Sequence, residues 1–215
     1  MSPRQTNARR PWRLILASQS PRRRVLLRQA GYRFIVRPSG IDEPIDTAHS
    51  PEWNARRIAL DKAMDVATRV RSGVVVGADT IVVLSGKFLG KPLSPSDARS
   101  MLRRLSGRTH NVYSGVAIVD AETGRSTTFA ERTRVTFRML EEDEIRAYVA
   151  SGAPMDKAGA YGIQDDYGAV FVEKVVGCFY TVVGFPLSRF HLVLRRFLGM
   201  TKTRSQRAVR KGKRG

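Results

Sequence analysis

The sequence has 215 residues, of which 42% are hydrophobic, and a formal net charge of +19 at pH 7. This length and composition suffice for one globular domain with a full core. No apolar run approaches the ~20 residues that a membrane-spanning helix needs. The apolar run at residues 14–17 is too short for the core of a signal peptide. The single cysteine, Cys178, excludes an internal disulfide and fits a reducing compartment, so we expect a cytoplasmic protein.

The positive charge is concentrated at the two ends of the chain. Residues 1–12 contain three arginines, residues 199–215 contain seven lysines or arginines, and neither segment has an acidic residue. The remaining body has 28 basic and 19 acidic residues, a net charge of +9 that suggests an anionic ligand. We therefore expect a disordered basic arm at 1–12, one domain at 13–198 and a disordered basic tail at 199–215. The tail is either a weak, nonspecific contact for nucleic acid or anionic lipid, or a solvated extension.

The first half of the body alternates apolar runs with segments of helical spacing. The helical segments begin at serine–proline pairs or end at glycine, and they cover residues 21–30, a longer helix from 51 and another from 95. The strand-like runs are rich in β-branched residues and cover residues 13–17, 32–36, 74–76 and 81–84. Ser85 and Gly86 predict a hairpin turn after the last of these runs.

The second half contains hairpin and helix signals. The predicted strands are at residues 112–119, 133–139, 169–175 and 180–183. A short helix is expected at the acidic cluster 141–144, because acids suit the positive end of a helix dipole, and a last amphipathic helix begins at Pro186. This mixture of strands, helices and hairpins predicts a single α/β domain on a mixed, largely antiparallel sheet flanked by helices.

The segment from Ala17 to Arg24, with the sequence ASQSPRRR, joins a predicted strand to a predicted helix. Ser20 suits the N-cap of that helix and Pro21 its first position. The three arginines that follow lie where unpaired amides already give the helix end a positive charge, so they are unfavourable unless an anion binds there. A triphosphate would accept hydrogen bonds from both the amides and the guanidinium groups. The alternative is an arginine cluster that extends into solvent.

Asp79 lies between the two apolar runs at 74–76 and 81–84. A carboxylate between buried runs is costly unless it is paired, binds a metal or faces a cleft. Such a residue could hold a divalent ion or accept a proton from an attacking water. The alternative is a surface aspartate in a turn or bulge.

Other candidate residues carry weaker signals. Glu43 lies in a predicted loop, Lys62 on a predicted helix and Lys91 before a proline; each is more often a surface residue than a ligand. The glycine-bearing segment 153–164 has few core formers and is expected to be either functional or mobile. The three histidines are scattered without metal-ligand spacing, and there is no Walker-type phosphate loop or dinucleotide fingerprint.

Taken together, several segments resemble the Maf family of nucleoside triphosphate pyrophosphatases. The resemblance extends from about Leu14 to Phe197, nearly the whole body, and its motifs occur in the family's order. They are LILASQSPRRRVLL at 14–27, VGADTIVVL at 76–84, LGKP at 89–92, MLRRLSGRTHNV at 101–112 and PMDKAGAYGIQ at 154–164.

This resemblance implies a fold similar to that of inosine-triphosphate pyrophosphatases, elongated, with the nucleotide in a cleft between two lobes, and often a homodimer. It also implies hydrolysis of a nucleoside triphosphate to the monophosphate and pyrophosphate, with Mg²⁺ or Mn²⁺ as cofactor. The AGAYGIQ form resembles the branch that acts on dTTP and UTP. A pyrophosphatase for other noncanonical nucleotides, such as modified pyrimidine nucleotides, is an alternative that would differ only in the base pocket.

The resemblance also implies roles for individual residues. Asp79 matches the catalytic proton acceptor and a metal contact, and Glu43 matches an acidic position that binds the metal. Positions that resemble triphosphate contacts are Ser18, Arg22, Arg23, Lys62 and Lys91. Positions that resemble specificity determinants are Arg22, Thr80 and Gln164. The amide of Gln164 offers both a donor and an acceptor for the edge of a pyrimidine.

A second hypothesis is a nucleic-acid-binding or cell-division regulatory protein that acts through its basic arms. A nucleic-acid binder needs basic residues along one face of the body, with aromatic partners. Much of the excess charge here lies in the two ends instead.

Overall fold

The structure is a computed structural model that describes residues 12–164 and 167–200. Most of the basic arm and of the basic tail, residues 1–11 and 201–215, lies outside the described residues, and so does the disorder predicted there. Within the described part of the chain, no helix is both long and apolar enough to cross a membrane.

Seven strands and six α-helices are present in the described residues. The strands are β1 (Leu14–Leu16), β2 (Phe34–Val36), β3 (Val74–Leu84), β4 (Lys87–Leu89), β5 (Thr109–Asp120), β6 (Ser126–Phe137) and β7 (Val172–Val176). The helices are α1 (Pro21–Gln29), α2 (Pro51–Ala67), α3 (Pro95–Leu105), α4 (Glu142–Ala150), α5 (Phe179–Val183) and α6 (Leu187–Phe197). Short 3₁₀ turns at Ala153–Asp156, Ala158–Ala160 and Tyr167–Phe171 connect α4 to β7.

The strands form one mixed sheet in the order β2-β1-β3-β5-β6-β7, with β4 paired to β3. The pairs β1–β2 and β1–β3 are parallel, and the other pairs are antiparallel. The predicted α/β domain with a mixed, largely antiparallel sheet is therefore confirmed.

The sheet is covered on both faces because successive side chains of each strand point in opposite directions. Val75 and the alternate residues of β5 pack with the alanines of α2 on one face. Val74 and Val76 belong to the larger cluster on the opposite face, which includes side chains of α1, α3, α4 and α6. Helix α2 is thus the main cover of one face.

Most of the predicted elements are confirmed, but several predicted strands need correction. The runs at 74–76 and 81–84 belong to one continuous strand, β3, with Asp79 inside it. The strand predicted at 169–175 begins only at Val172, because a 3₁₀ turn occupies Tyr167–Phe171.

The strand predicted at 180–183 is wrong, because these residues are part of helix α5. Their β-branched side chains favour a strand, but tertiary context overrides such a preference in a short segment. Two hydrogen bonds of 3.0 Å between Oγ1 of Thr133 on β6 and the backbone N–H and carbonyl of Cys178 hold the start of α5 against the sheet. Gly184, with φ of +112°, ends it, and its N–H bonds to the carbonyls of Tyr180 and Thr181.

Candidate active site

The candidate site lies beside the middle of β3, where the strand pairing on one side is interrupted. On one side β3 pairs with β5 along almost its whole length, whereas β1 pairs only with residues Val74 to Val76 and β4 only with Val82 to Leu84. Among the described residues, the stretch 77–81 therefore has no strand on that side. A cleft of about 710 Å³ lies there, lined by β3, the start of α1, α2, the loop after β2 and the segments around residues 90, 157 and 184.

Asp79 lies in this gap and is only 7% exposed. Its Oδ1 is 2.8 Å from Nζ of Lys62, which is also buried, and the same Nζ is 2.7 Å from Oε1 of Glu43. One ammonium group on α2 therefore joins a strand carboxylate to a loop carboxylate. The surface-turn alternative for Asp79 is excluded by this burial and pairing.

Close packing of α2 against the sheet brings Lys62 over Asp79. Gly77 on β3 and Gly115 on β5 lie beneath the helix, and Gly115 is the strand partner of Asp79. A Cβ built on Gly77 would lie 2.1 Å from the carbonyl oxygen of Ala59, and one on Gly115 would lie 2.0 Å from that of Ala55. Any larger residue would push the helix away from the sheet, and Lys62 with it.

The loop that presents Glu43 is braced by the start of α2. Asn54 is fully buried, accepts a 2.8 Å hydrogen bond from the N–H of Asp46 and donates one of the same length back to its carbonyl. Arg57 donates to the carbonyl of Pro44. Because these bonds hold the residues that directly follow Glu43, the same helix positions both Glu43 and Lys62.

The two carboxylates differ in basicity. Burial raises the pKa of Asp79, and the positive charges of Lys62 and Arg23 oppose that rise only in part. Burial also acts to raise the pKa of Glu43, but the hydrogen bond and charge of Lys62, together with smaller effects of Asp79 and Lys91, hold that pKa below its ordinary value. Asp79 is therefore the better proton acceptor of the two.

Arg23 is buried at the first turn of α1, where Ser20 caps the helix by accepting from its N–H. Its guanidinium donates to Oγ of Ser18 at 3.0 Å, to the carbonyl of Gly184 at 3.0 Å and to Oγ1 of Thr80 at 3.2 Å. Burial lowers the pKa of Arg23, and the charges of Asp79 and Glu43 oppose that change.

All three hydrogen-bond acceptors of Arg23 are neutral. No carboxylate of the described residues lies within salt-bridge distance of its guanidinium. Arginine stays charged in proteins, and a buried charge without a counterion is unfavourable. The arrangement around Arg23 therefore suits an anion that enters from the cleft.

Arg22 reaches a different element. Its Nη1 is 2.9 Å from Oδ2 of Asp156, in the 3₁₀ turn after α4, and Nζ of Lys157 is 3.0 Å from Oδ1 of the same carboxylate. The two basic side chains and Asp156 all line the cleft. The pKa of Asp156 is below its ordinary value: burial acts to raise it, but the hydrogen bonds and charges of Lys157 and Arg22 together outweigh burial.

Eight of the nine predicted site residues line this one cleft: Ser18, Arg22, Arg23, Glu43, Lys62, Asp79, Thr80 and Lys91. Lys91 is exposed, and its positive charge acts on Glu43. Gln164 is partly buried and is not among the lining residues, although Gly162 is. The structure thus brings the predicted phosphate-binding and carboxylate residues together without placing Gln164 beside them.

Other residues in the cleft or directly behind its wall were not singled out from the sequence. Ser114 on β5 and the backbone of Gly184 complete the surroundings of Thr80 and Arg23, while Asp156 and Lys157 face Arg22. The signal for the last two was present, since they belong to the segment 153–164 that was expected to be functional or mobile. Nothing in the sequence pattern indicated Ser114, which lies in an ordinary apolar strand.

The geometry defines a class of protein: an α/β domain with a cleft in which a buried carboxylate lies near several cations at a helix N-terminus. The family model described as Maf-like protein matches residues 13–197, and the chain belongs to this family.

Curated relatives agree with that assignment. A dTTP/UTP pyrophosphatase of Moorella thermoacetica is 49% identical over 185 residues, covering 86% of this chain and 95% of the relative. One of Bacillus cereus strain AH820 is 48% identical with the same coverage, and one of Pelotomaculum thermopropionicum is 45% identical over 184 residues, covering 86% and 96%. These similarities favour an enzyme over the alternative of a nucleic-acid-binding regulator.

Proposed function

We propose that the protein is a nucleoside triphosphate pyrophosphatase that hydrolyses dTTP and UTP to the monophosphate and pyrophosphate. The observation that carries the proposal is the cleft itself, whose lining includes the buried, paired Asp79 and Arg23, a buried cation with no carboxylate within salt-bridge distance among the described residues. The names of the relatives supply the two substrates.

In this reaction Asp79 accepts a proton from a water molecule. The water oxygen attacks the α-phosphorus, the bond to the oxygen that bridges the α and β phosphorus atoms breaks, and pyrophosphate leaves with that oxygen. The raised pKa of Asp79 suits this role, since a stronger base transfers the proton more readily. Lys62 fixes the orientation of the carboxylate through its 2.8 Å bond.

The cations of the cleft hold the triphosphate. Arg23 lies in the first turn of α1, where the backbone amides add their own positive charge, and Ser18 lies in the loop just before that helix. Arg22 and Lys91 lie at the cleft surface. Neutralising the phosphate charge and fixing the chain in position are the main protein contributions to such a transfer.

The chemistry of the carboxylates fits a divalent cation. Glu43 and Asp79 approach the same ammonium group, yet no cluster of three or more histidine, cysteine or acidic side chains occurs among the described residues. Mg²⁺ is commonly bound by one or two carboxylates together with substrate phosphates. Glu43 and Asp79 would hold a Mg²⁺ or Mn²⁺ ion that arrives with the triphosphate, and the ion would stabilise charge on the leaving pyrophosphate.

A nucleotide panel tests the proposed function. Purified protein with Mg²⁺ is incubated with dTTP, UTP, CTP, ATP and GTP, and the products are separated. We expect monophosphate and pyrophosphate from dTTP and UTP. Release of orthophosphate and a diphosphate would contradict the cleavage position, and equal turnover of all five would contradict the base preference.

Gln164 is proposed to contact the base. Replacing Gln164 with alanine should reduce kcat/KM for dTTP and UTP by roughly tenfold to a hundredfold, the value of a paired hydrogen bond in a dry pocket, and affect purine nucleotides less. An equal loss with all five nucleotides would show that Gln164 has no role in base recognition.

Three further properties are proposed with the activity: a cytoplasmic location, where nucleoside triphosphates are made, a homodimer, and weak nucleic-acid contact by the basic tail. Sedimentation of the full chain tests the dimer. Deleting residues 201–215 should leave hydrolysis unchanged, because the segment lacks acids, aromatics and periodic apolar residues. Loss of salt-sensitive RNA retention on this deletion would support the tail contact.

A further inference from the structure

A chain of hydrogen bonds runs from Arg23 through Thr80 into the sheet. Nη2 of Arg23 is 3.2 Å from Oγ1 of Thr80, which is 2.9 Å from Oγ of Ser114 on the neighbouring strand. Oγ of Ser114 is in turn 2.7 Å from the carbonyl oxygen of Thr181 in α5. Ser114 is fully buried, whereas Thr80 is partly exposed and lines the cleft.

The groups at the two ends of this hydrogen-bond series determine which partner donates in every bond. A carbonyl oxygen only accepts, so Ser114 donates its single hydroxyl proton to Thr181. The bond between Ser114 and Thr80 must then be donated by Thr80. A guanidinium only donates, so Arg23 occupies one lone pair of Oγ1 of Thr80. Toward the cleft, Thr80 is left with one lone pair and no proton.

An acceptor cannot bind another acceptor, so this hydroxyl cannot form a hydrogen bond with a phosphate oxygen. Thr80 needs a donor from the substrate. The donors that dTTP and UTP share are the N3–H group of the base and the 3′-hydroxyl of the sugar. Cytosine has no hydrogen at N3, where it presents a lone pair instead.

The surroundings of Thr80 favour the base. A Cβ built on Gly184 would lie 3.1 Å from Oγ1 of Thr80, so the end of α5 is in close contact with this hydroxyl. Val182 and Val183, which precede that glycine, line the cleft with apolar surface. A planar base packs well against such a wall, whereas a sugar hydroxyl gains little from it.

We propose that Ser114 fixes Thr80 as a hydrogen-bond acceptor for N3–H of uracil or thymine, and thereby selects these bases against cytosine. Ser114 acts through Thr80 and is a positioning residue. The proposal deepens the dTTP/UTP activity proposed above and rests on it.

Substrate analogues test the contact in the unmodified protein. Kinetic constants are measured with UTP, CTP, N3-methyl-UTP and 3′-deoxy-UTP. We expect CTP and N3-methyl-UTP to lose at least about tenfold in kcat/KM, the value of one hydrogen bond whose partner is left unsatisfied, and 3′-deoxy-UTP to lose little. A large loss with 3′-deoxy-UTP and none with N3-methyl-UTP would overturn the proposal in favour of a sugar contact.

Variants test the role of Ser114. In Ser114→Ala the proton of Thr80 is freed to donate toward N3 of cytosine, so the ratio of kcat/KM for UTP to that for CTP should fall by about tenfold. The carbonyl of Thr181 keeps its bond from the N–H of Gly184, so the change leaves that oxygen satisfied. Thr80→Ser should preserve the ratio. Thr80→Val should lower kcat/KM for UTP without raising kcat/KM for CTP.

The possible failures are distinguishable. If the wild-type protein hydrolyses UTP and dTTP but Ser114→Ala, folded by circular dichroism, keeps the wild-type ratio, this inference is wrong and the proposed function stands. If the wild-type protein hydrolyses neither nucleotide, the proposed function fails and the inference falls with it. The analogue series needs no variant, so equal kcat/KM values for UTP and N3-methyl-UTP would overturn the inference even if Ser114→Ala does not fold. In that case the comparison of Thr80→Ser with Thr80→Val tests whether Thr80 is the acceptor.

Discussion

Nζ of Lys62 lies 2.8 Å from Oδ1 of Asp79, and both side chains are at least nine-tenths buried. A salt bridge so well shielded from water is costly to form, and it is weak evidence for stability. Its position in the wall of a cleft indicates instead a catalytic reason for keeping a carboxylate there.

Asp79→Asn should reduce kcat by about 10²-fold or more, because the amide cannot accept the proton of the attacking water. The measurement is kcat with UTP and Mg²⁺ on protein whose fold is checked by circular dichroism. Asp143→Asn is a matched control, since Asp143 is an exposed carboxylate on α4 outside the cleft. A folded Asp79→Asn protein that kept more than about a tenth of wild-type turnover would contradict the assignment.

The two outer arginines of the RRR sequence should behave differently. Arg22→Ala should reduce kcat/KM for every triphosphate by a similar factor, roughly tenfold or more, because phosphates are common to all of them. Arg24→Ala should have little effect, since Arg24 donates to the carbonyl of Gln19 and does not line the cleft. Equal losses in both variants would point to a general effect of charge on α1.

Much of this site could be predicted from local sequence. Ser20 and Pro21 predicted the start of α1, and the structure confirms the cap and the helix. Three adjacent arginines look alike in the sequence, however. Their roles depend on how α1 is rotated against the sheet. In the observed orientation Arg23 is buried beside Thr80, whereas Arg22 bonds to Asp156, which is 134 residues away in the sequence.

Other features depend on strand pairing, which no local pattern contains. The cleft exists because β1 and β4 pair with separate parts of β3 and leave residues 77–81 without a partner strand on that side in the described part of the chain. The strand predicted at 180–183 failed for a related reason: its β-branched residues favoured a strand, whereas Gly184 and the contact with Thr133 make it a helix. Ser114 gains its importance only from the alignment of β5 with β3.

Gly77→Ala should destabilise the fold and lower activity together. The added Cβ would lie 2.1 Å from the carbonyl oxygen of Ala59, so α2 must move and carry Lys62 away from Asp79. Overpacking of this kind costs about 1–3 kcal/mol of unfolding free energy. Chemical denaturation measures it. Gly40→Ala is the control for stability, because a Cβ there meets nothing within 4 Å; an equal loss in both variants would contradict the close-packing argument.

His110 should make the fold sensitive to acid. Its ring is buried beside Tyr161, to whose hydroxyl Nε2 lies at 2.7 Å, and burial lowers the pKa of His110 from 6.5 to about 4. A folded-state pKa below the unfolded value means that stability is complete above pH 6.5 and is lost as the pH falls toward 4. With these two pKa values the loss at pH 5 is about 2 kcal/mol.

The test compares the unfolding free energy at pH 7 and pH 5 in the wild-type protein and in His110→Gln. Glutamine does not titrate but can still hydrogen-bond to Tyr161, so its difference between the two pH values should be smaller by about 2 kcal/mol. Because the comparison uses the difference between the two pH values within each protein, the effect of any packing defect of the variant on its unfolding free energy cancels. The same pH dependence in both proteins would mean that His110 is protonated in the folded state near its ordinary pKa, and would contradict a neutral His110 imidazole buried beside Tyr161.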